Sequence, residues 1–318
     1  MSAAVEGATR PVEVLPGRSA PGRWRRSLTA YGFLLPWLIG FFGLTVGPMA
    51  YSLYYSFTDY SLLSAPEWVG LDNYARMFTA DPRFYQSLKI TGLYVLFSVP
   101  FELAFALLVA VVLNRGLRGL ATYRAVFYLP SLVGGSVAVA VLWRQVFGNE
   151  GLLNQALAVF GIDGPGWVST PGYSLATLIV LRVWQFGAPM VIFLAGLRQI
   201  PEDVLEAAQI DGAGRFQRFF RVTLPLLTPL VFFNLVLQII GAFQAFTPAF
   251  IVSGGSGGPS DSTLFYTLYL YQEAFAKFHM GYAAAMAWVL LAIIAVFTAV
   301  NFGLRRFWVF GDESTRRD

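Results

Sequence analysis

"EAAQIDGAGRFQRFFRVTLP", Glu206 to Pro225, is a polar and basic stretch set between two long apolar runs of a mostly hydrophobic chain. Just upstream, Pro201 suits a first helical turn, and Glu202 and Asp203 stand where the helix dipole favours anions. Val204, Leu205 and Ala208 give one narrow apolar strip, until "DGAG", Asp211 to Gly214, supplies residues tolerant of a left-handed turn. The spacing predicts a helix that breaks at Gly212. A second helix from Ala213 puts Phe216, Phe219 and Phe220 on one face and Arg215, Arg218 and Arg221 on another, before Pro225 opens the next apolar run. Two readings stand side by side. Basic amphipathic helices often lie on an anionic leaflet, whereas small Ala207 and Ala208 beside the Glu206 carboxylate and a glycine hinge suit close docking of a protein partner.

The surrounding chain has 318 residues, 56% of them hydrophobic and 13% charged, which is too apolar for a soluble domain of this size. A bilayer span takes roughly 20 mostly apolar residues. Six stretches qualify: Ala30 to Phe57, Ile90 to Leu113, Thr122 to Phe147, Tyr173 to Leu197, Leu224 to Val252 and Tyr282 to Leu304. None alternates with period two, so the expectation is an all-α integral membrane protein with six transmembrane helices rather than a β-barrel. Residues 1–29, rich in Pro, Gly and Arg, read as a disordered tail. Ala30 to Phe57 is too long for a cleaved signal and reads as a retained first span. The membrane domain is expected at 30–304, with 198–223 as the loop between spans four and five and 305–318 as a second tail.

Lys and Arg near span ends stay in the cytoplasm. Arg10, Arg18, Arg23, Arg25 and Arg26 precede span one; Arg115, Arg118 and Arg124 join spans two and three; Arg198, Arg215, Arg218 and Arg221 lie between four and five; Arg305, Arg306, Arg316 and Arg317 end the chain. The other side has only Arg76, Arg83, Lys89 and Lys277. Both termini and Glu206 to Pro225 are therefore expected in the cytoplasm, and the net charge of +4 expresses topology, not affinity for nucleic acid.

Several chemistries are excluded. There is no cysteine, which removes disulfides, thiolate metal sites and cysteine nucleophiles, and His279 is the only histidine, which removes histidine-clustered metal sites and histidine triads. There is no phosphate-binding Gly-rich Lys motif, so ATP is not bound in that way, and neither cofactor nor metal is expected. His279 reads as an ordinary external polar residue. An ion-coupled carrier or a membrane-embedded enzyme is the alternative. The first would show repeats with broken helices, the second clustered acids or histidines.

Glu102 and Arg182 are ionisable groups inside spans two and four, at depths differing by about 4 to 5 Å at 1.5 Å per residue, so they can pair. Such a pair either fixes two helices or faces a water-filled path. Arg144, near the outer end of span three, can snorkel to the headgroups. Outside, Gly151 to Phe160 and Leu264 to Phe278 are amphipathic and too interrupted to span, so they are expected to lie along the outer surface. There they serve either as interfacial anchors or as contacts for a delivered binding protein.

Glu206, Ala207, Ala208, Gly212, Val222, Leu224 and Pro225 follow the pattern Glu-Ala-Ala, three residues, Gly, nine residues, an aliphatic, one residue, Leu-Pro. This resembles the cytoplasmic motif of ABC importer permeases, with Val222 in place of the usual Ile. The order of "GLDNYARMF", "YRAVFYLP", "GLRQIPEDVLEAAQIDGA", "GGPSDST" and "GYAAAMAWVL" extends the likeness to permeases of the maltose and glycerol-phosphate type. One departure is plain: the maltose-type first subunit has extra amino-terminal spans and a large external loop, where Thr58 to Lys89 is short. The resemblance implies a type I importer permease fold in a bacterial or archaeal cytoplasmic membrane. It implies a second permease subunit, a separate ATP-binding subunit dimer, an extracytoplasmic solute-binding protein and a sugar or polyol substrate. Glu206, Ala207, Ala208, Asp211, Gly212, Phe216, Leu224 and Pro225 would then couple the spans to the ATPase.

Uncharged polar side chains inside a span need a reason to be there, and Gln185, Asn234, Gln238 and Gln244 are such residues. Interhelical hydrogen bonding is one reason. Another is a polyhydroxylated ligand, which needs amides for its hydroxyls and aromatic faces for its ring: Trp184 and Phe186 flank Gln185, and Phe243 and Phe246 flank Gln244. "WQFGAP", which includes Gly187, and "AFQAF" resemble segments that line the binding site of related importers; Asn234 and Gln238 have no such match.

Overall fold

The computed structural model describes residues 23–116 and 119–309, with side chains from Tyr31 onward. Residues 1–22 and 310–318, and with them most of both expected tails, lie outside the described residues. The chain divides into two compact units at Ser52 and Leu53. The first holds α1 (Arg23–Gly40), which passes through a π-helical turn at Phe41–Val46 into α2 (Gly47–Tyr55). Helix therefore begins before Ala30, and Tyr31–Tyr55 is long and apolar enough to cross a membrane.

The second unit opens with a small antiparallel hairpin, β1 (Thr58–Ser61) and β2 (Ser64–Trp68), which an all-helical expectation does not contain. The hairpin is held by α3 (Asp72–Thr79), where buried Asn73 donates through Nδ2 to the carbonyls of Ser56 at 3.0 Å and Thr58 at 2.9 Å. The Ser56 carbonyl lies just past the end of α2 and that of Thr58 at the start of β1, and a buried polar group without a partner is costly.

α4 (Pro82–Leu113), 32 residues long, is the axis of this unit. Asp81 caps it, its Oδ1 accepting from the amides of Arg83 and Phe84 at 3.0 and 3.1 Å, and Pro82 occupies the first turn. Val95, Val99, Glu102, Ala106, Ala110 and Leu113 recur at spacings of three and four, so one face of α4 is buried along most of its length. It is followed by α5 (Leu120–Val133), α6 (Val137–Phe147), the short α7 (Leu152–Val159), α8 (Pro171–Trp184), α9 (Gly187–Leu197), α10 (Glu202–Ile210), α11 (Arg215–Arg218), α12 (Leu224–Phe243), α13 (Thr247–Val252), α14 (Tyr266–Tyr271) and α15 (Met280–Trp308), of which α8, α9, α12 and α14 pack against it.

Among the described residues four helices are long and apolar enough to span, or up to six if each of two bent pairs counts as one. The bent pairs fall in the third and fourth of the six expected stretches. α5 and α6 meet at 95°, because Gly134 and Gly135 follow Pro130 and Ser136 starts a new helix by accepting from the amide of Val139 at 3.3 Å. α8 and α9 meet at 42° across Gln185 and Phe186. α9 then crosses α5 at Gly187, where a Cβ would stand 2.4 Å from the Phe127 carbonyl oxygen and 2.7 Å from the Tyr128 Cα, so only glycine fits. A further break, Gln244 to Phe246, separates α12 from α13.

The segment Leu264 to Phe278 does not lie along the outer surface. Leu264, Phe265, Tyr266, Leu268 and Tyr269 are all buried, because a strip this apolar finds more contact inside the bundle than at an interface. The Tyr266 amide donates to Thr91 Oγ1 at 2.8 Å, its hydroxyl donates to the Met286 carbonyl at 2.8 Å, and the Phe265 ring lies 4.5 Å from that of Tyr94. The chain doubles back into this position through Gly257 and Gly258, at φ of +95° and +77°, where a Cβ would also meet Leu264 and Thr263. Gly151 to Phe160, by contrast, keeps its exposed position as α7.

Candidate functional site

The turn at Gly212 is built as the sequence suggests. α10 ends in a Schellman arrangement: the Ala213 amide donates to the Ala208 carbonyl at 3.0 Å, the Gly212 amide donates to Gln209 at 3.0 Å, and Gly212 takes φ of +77°. Arg218 Nη1 donates to Gln209 Oε1 at 2.9 Å and ties α11 back to α10. From α11 the backbone runs through a π-helical turn, Phe219–Thr223, straight into α12, so Leu224 and Pro225 join the turn to span five without a break. Glu206, Ala207, Asp211 and Gly212 are exposed, and Ala208, Leu224 and Pro225 partly so. Phe216 is 79% exposed, and beside it stand Phe220 at 60% and Ile210 at 86%. Ile210 was not among the expected coupling residues; its place two residues before the glycine turn was the available signal.

Glu102 and Arg182 are joined, Arg182 Nε donating to Glu102 Oε2 at 2.8 Å. The Arg182 Nη2 also donates to Gln238 Oε1, and a Cβ at position 241 would come within 3.4 Å of it, so Gly241 makes room for the fork. One guanidinium thus links α4, α8 and α12, a geometry that a planar fork allows and a point charge does not.

The amides and aromatics expected to meet a ligand separate into two groups. Gln238 is occupied by Arg182, Asn234 is buried with its Nδ2 donating to the Leu230 carbonyl at 3.0 Å, Phe186 sits between Phe105 and Phe127, and Phe243 packs on Phe297. Gly187 serves the α5 crossing. In this conformation those residues contact protein, because they lie on the inward faces of α9 and α12. Trp184, Gln185, Gln244 and Phe246 instead stand at the breaks. Gln185 closes α8, donates through Nε2 to the Leu181 carbonyl at 3.2 Å, and fills the space over Gly134 at the α5–α6 break. Trp184 is 38% exposed and its ring is 6.2 Å from that of Trp143. Gln244 closes α12 and is exposed, while Phe246 stacks on Phe250 at 5.2 Å.

A polar cluster at the amino-terminal end of α4 escaped sequence reasoning, since its partners are far apart in the chain. Asp81 Oδ2 accepts from the hydroxyls of Tyr269 at 2.6 Å and Tyr282 at 2.5 Å, and Arg83 grips Asp261 through two hydrogen bonds of 2.9 and 2.7 Å. Burial alone would push the Asp81 carboxyl up, but the two tyrosine hydroxyls and two amides together hold it below the usual aspartate value. His279 is not merely an external polar residue: its Nδ1 lies 2.9 Å from Oε2 of fully buried Glu273, whose other oxygen accepts from Lys277. Burial again works upward on Glu273, and Lys277 and His279 outweigh it.

Residues 83–307 match the model of the binding-protein-dependent transport system inner membrane component family. This chain belongs to that family. The permease is 56% identical over 284 residues to the probable ABC transporter permease protein YesP of Bacillus subtilis (strain 168), covering 89% of this chain and 92% of YesP. It is 33% identical over 238 residues to the lactose transport system permease protein LacF of Rhizobium radiobacter, covering 73% and 79%. A chain of a bacterial alginate ABC transporter, solved with an alginate pentasaccharide-bound periplasmic protein, superposes with a TM-score of 0.73 at 22% identity, over 89% of this permease and 95% of that chain. The fold is therefore that of an ABC importer permease, and the chain is a transport subunit of the inner membrane, not an enzyme. Broken spans, taken alone, pointed to an ion-coupled carrier; the family match decides for the importer.

Proposed function

We propose that this permease crosses the membrane six times with both termini in the cytoplasm and imports a sugar or related polyol. It acts with a second permease subunit, an ATP-binding subunit dimer and an extracytoplasmic solute-binding protein. The carbohydrate reading is supported by relatives named for lactose, arabinooligosaccharides and multiple sugars. The observation that carries the coupling role is the Gly212 turn. It holds a carboxylate, two alanines and three exposed apolar side chains, Ile210, Phe216 and Phe220, on a short rigid lobe continuous with α12. A lobe that only rested on lipid would not need a carboxylate beside small residues, whereas a groove on an ATPase subunit would receive both, and the unbroken backbone into α12 carries its movement to span five.

In this reading Trp184, Gln185, Gln244 and Phe246 are the ligand contacts, and Gln238 and the Glu102–Arg182 pair fix the helices around them. Glu206→Lys inverts the docking charge and Gly212→Leu forces a branched side chain into a left-handed turn. Both are expected to abolish transport at unchanged protein level, with loss of ATPase pull-down. Gln185→Ala and Gln244→Ala are expected to weaken uptake by roughly 1 to 3 kcal/mol each through an unpaired ligand hydroxyl, while basal hydrolysis persists. Retained pull-down and ligand-stimulated hydrolysis in the first two variants would refute the coupling assignment.

A further inference from the structure

Among the described residues only Ser260, Asp261 and Phe278 take positive φ without being glycine, at +52°, +55° and +60°, and all three stand at the two ends of one segment. That segment, residues 262–277, carries α14 and the π-helical turn Gln272–Ala276 that follows it. It crosses the break after α12, where Thr267 Oγ1 donates to the Ala245 carbonyl at 2.5 Å. Left-handed backbone strains a residue that has a Cβ, and a bulky one most. The Phe278 ring is 41% exposed, so its packing does not hold the turn. The neighbours hold it. The amides of Lys277 and His279 donate to the carbonyls of Gln272 at 3.0 Å and Glu273 at 2.8 Å, and both side chains close on the buried Glu273 carboxylate, Lys277 on Oε1 and His279 with Nδ1 2.9 Å from Oε2.

The other end is fixed in the same manner, by the two hydrogen bonds from Arg83 at the start of α4 to Asp261. Strain is thus confined to the two ends of one segment, and charged side chains pin each end. A bulky residue stays left-handed only where the bonds around it over-determine the backbone, and such positions cluster where a structure switches. We propose that residues 262–277 form a latched strap under load, which swings away from the α12 break toward the outside when either charged latch lets go. Phe278 and the Ser260–Asp261 turn relax as it moves. Release also frees the Phe246 ring, which packs on Tyr271 of the strap at 5.2 Å. This rests on the importer reading above, in which Phe246 is a ligand contact, and on its assignment of the strap to the outer side.

The test uses the assembled complex in intact cells and an impermeant maleimide. Because the chain has no cysteine, Ala274→Cys sets one small thiol on the buried face of the strap, where position 274 is 4% exposed, and its labelling rate reads how often the strap lifts. Ser56→Cys, at a buried position bonded to the Tyr74 hydroxyl of α3 at 2.8 Å, reads general loosening instead. In the Ala274→Cys background Glu273→Gln is expected to raise the rate tenfold or more. Lys277→Met and Arg83→Met, which each break one latch contact, are expected to raise it severalfold. Phe278→Asn tolerates the left-handed turn and is expected to lower the rate severalfold, because it relieves strain that exists only while the strap is closed. Ordinary packing predicts no such pair of opposite effects. An unchanged rate in Glu273→Gln, an unchanged or faster rate in Phe278→Asn, or Ser56→Cys labelling that rises together with that of Ala274→Cys would each overturn the proposal. Labelling of Ala274→Cys in inside-out vesicles alone would overturn the outer-side assignment and the importer topology with it.

Discussion

Arg182→Ala tests how the spans are fastened. The guanidinium spends Nε on Glu102 and Nη2 on Gln238, and the Glu102 side chain is 2% exposed. Removing it strands a carboxylate among apolar helices, which costs about 3–5 kcal/mol, and the lost Gln238 bond adds about 1 kcal/mol. The expected total, about 4–6 kcal/mol, is roughly three to four orders of magnitude in the folded-to-unfolded ratio at about 1.4 kcal/mol per factor of ten. Glu102→Gln should cost less, about 2 kcal/mol, since an amide oxygen still accepts from Nε and the remaining cation is 16% exposed. In the Arg182→Ala, Glu102→Gln double variant no charge is stranded, so the two losses should fall short of additivity by at least about 2 kcal/mol. Denaturant titration of the purified complex in mild detergent, followed by tryptophan fluorescence, gives all three values. Additivity within about 0.5 kcal/mol would show that the two groups do not sense each other and would refute the pair.

Other expectations are as direct. Gly187→Ala should lower the melting midpoint by several degrees, because its Cβ meets the backbone of α5 rather than a side chain that can yield; an unchanged midpoint would refute the close crossing. Asp81 and Glu273 both have lowered values, so their contribution to stability is fully present above the ordinary carboxyl range and is lost as pH falls through the lowered values. Melting midpoints measured against pH should be flat above about 5 and drop below about 4, and Glu273→Gln should flatten part of that drop. A single cysteine at Ser256 should react with an impermeant maleimide in intact cells while one at Gln217 should not; the reverse would invert the membrane topology.

What could be read from the sequence followed from local chemistry. Gly212 is legible because a left-handed residue after a short helix has few substitutes, and the apolar runs announce spans by length alone. The breaks were less legible. Gly134 and Gly135 sit in a run that is apolar on either side, so hydropathy passes over them, and only the backbone shows that Gln185 fills the gap beside Gly134. Arg182 and Glu102 lie 80 residues apart and could be paired by depth, but Gln238 as the third member could not, since depth along one helix says nothing of its rotation. Arg83 and Asp261, 178 residues apart, gave no local signal at all, and Tyr266 looked interfacial until its amide was seen on Thr91.

The interrupted spans also bear on electrical tightness. A helix that ends inside an apolar span leaves carbonyls without intrahelical donors, and hydrocarbon supplies none, so a side chain, water or a polar ligand must meet them. α5, α8 and α12 end this way; Gln185 serves the Leu181 carbonyl at the end of α8, and in the spanning arrangement proposed above any of these carbonyls left to water would open a path for ions unless something closes it. The α14 segment is placed to do so: Thr267 Oγ1 donates to the Ala245 carbonyl at 2.5 Å, at the α12 break, and Leu264, Phe265 and Tyr266 fill the space behind it. Thinning that seal, for instance with Phe265→Ala, should therefore appear first as a proton or sodium leak in liposomes holding the resting complex, before any loss of solute uptake.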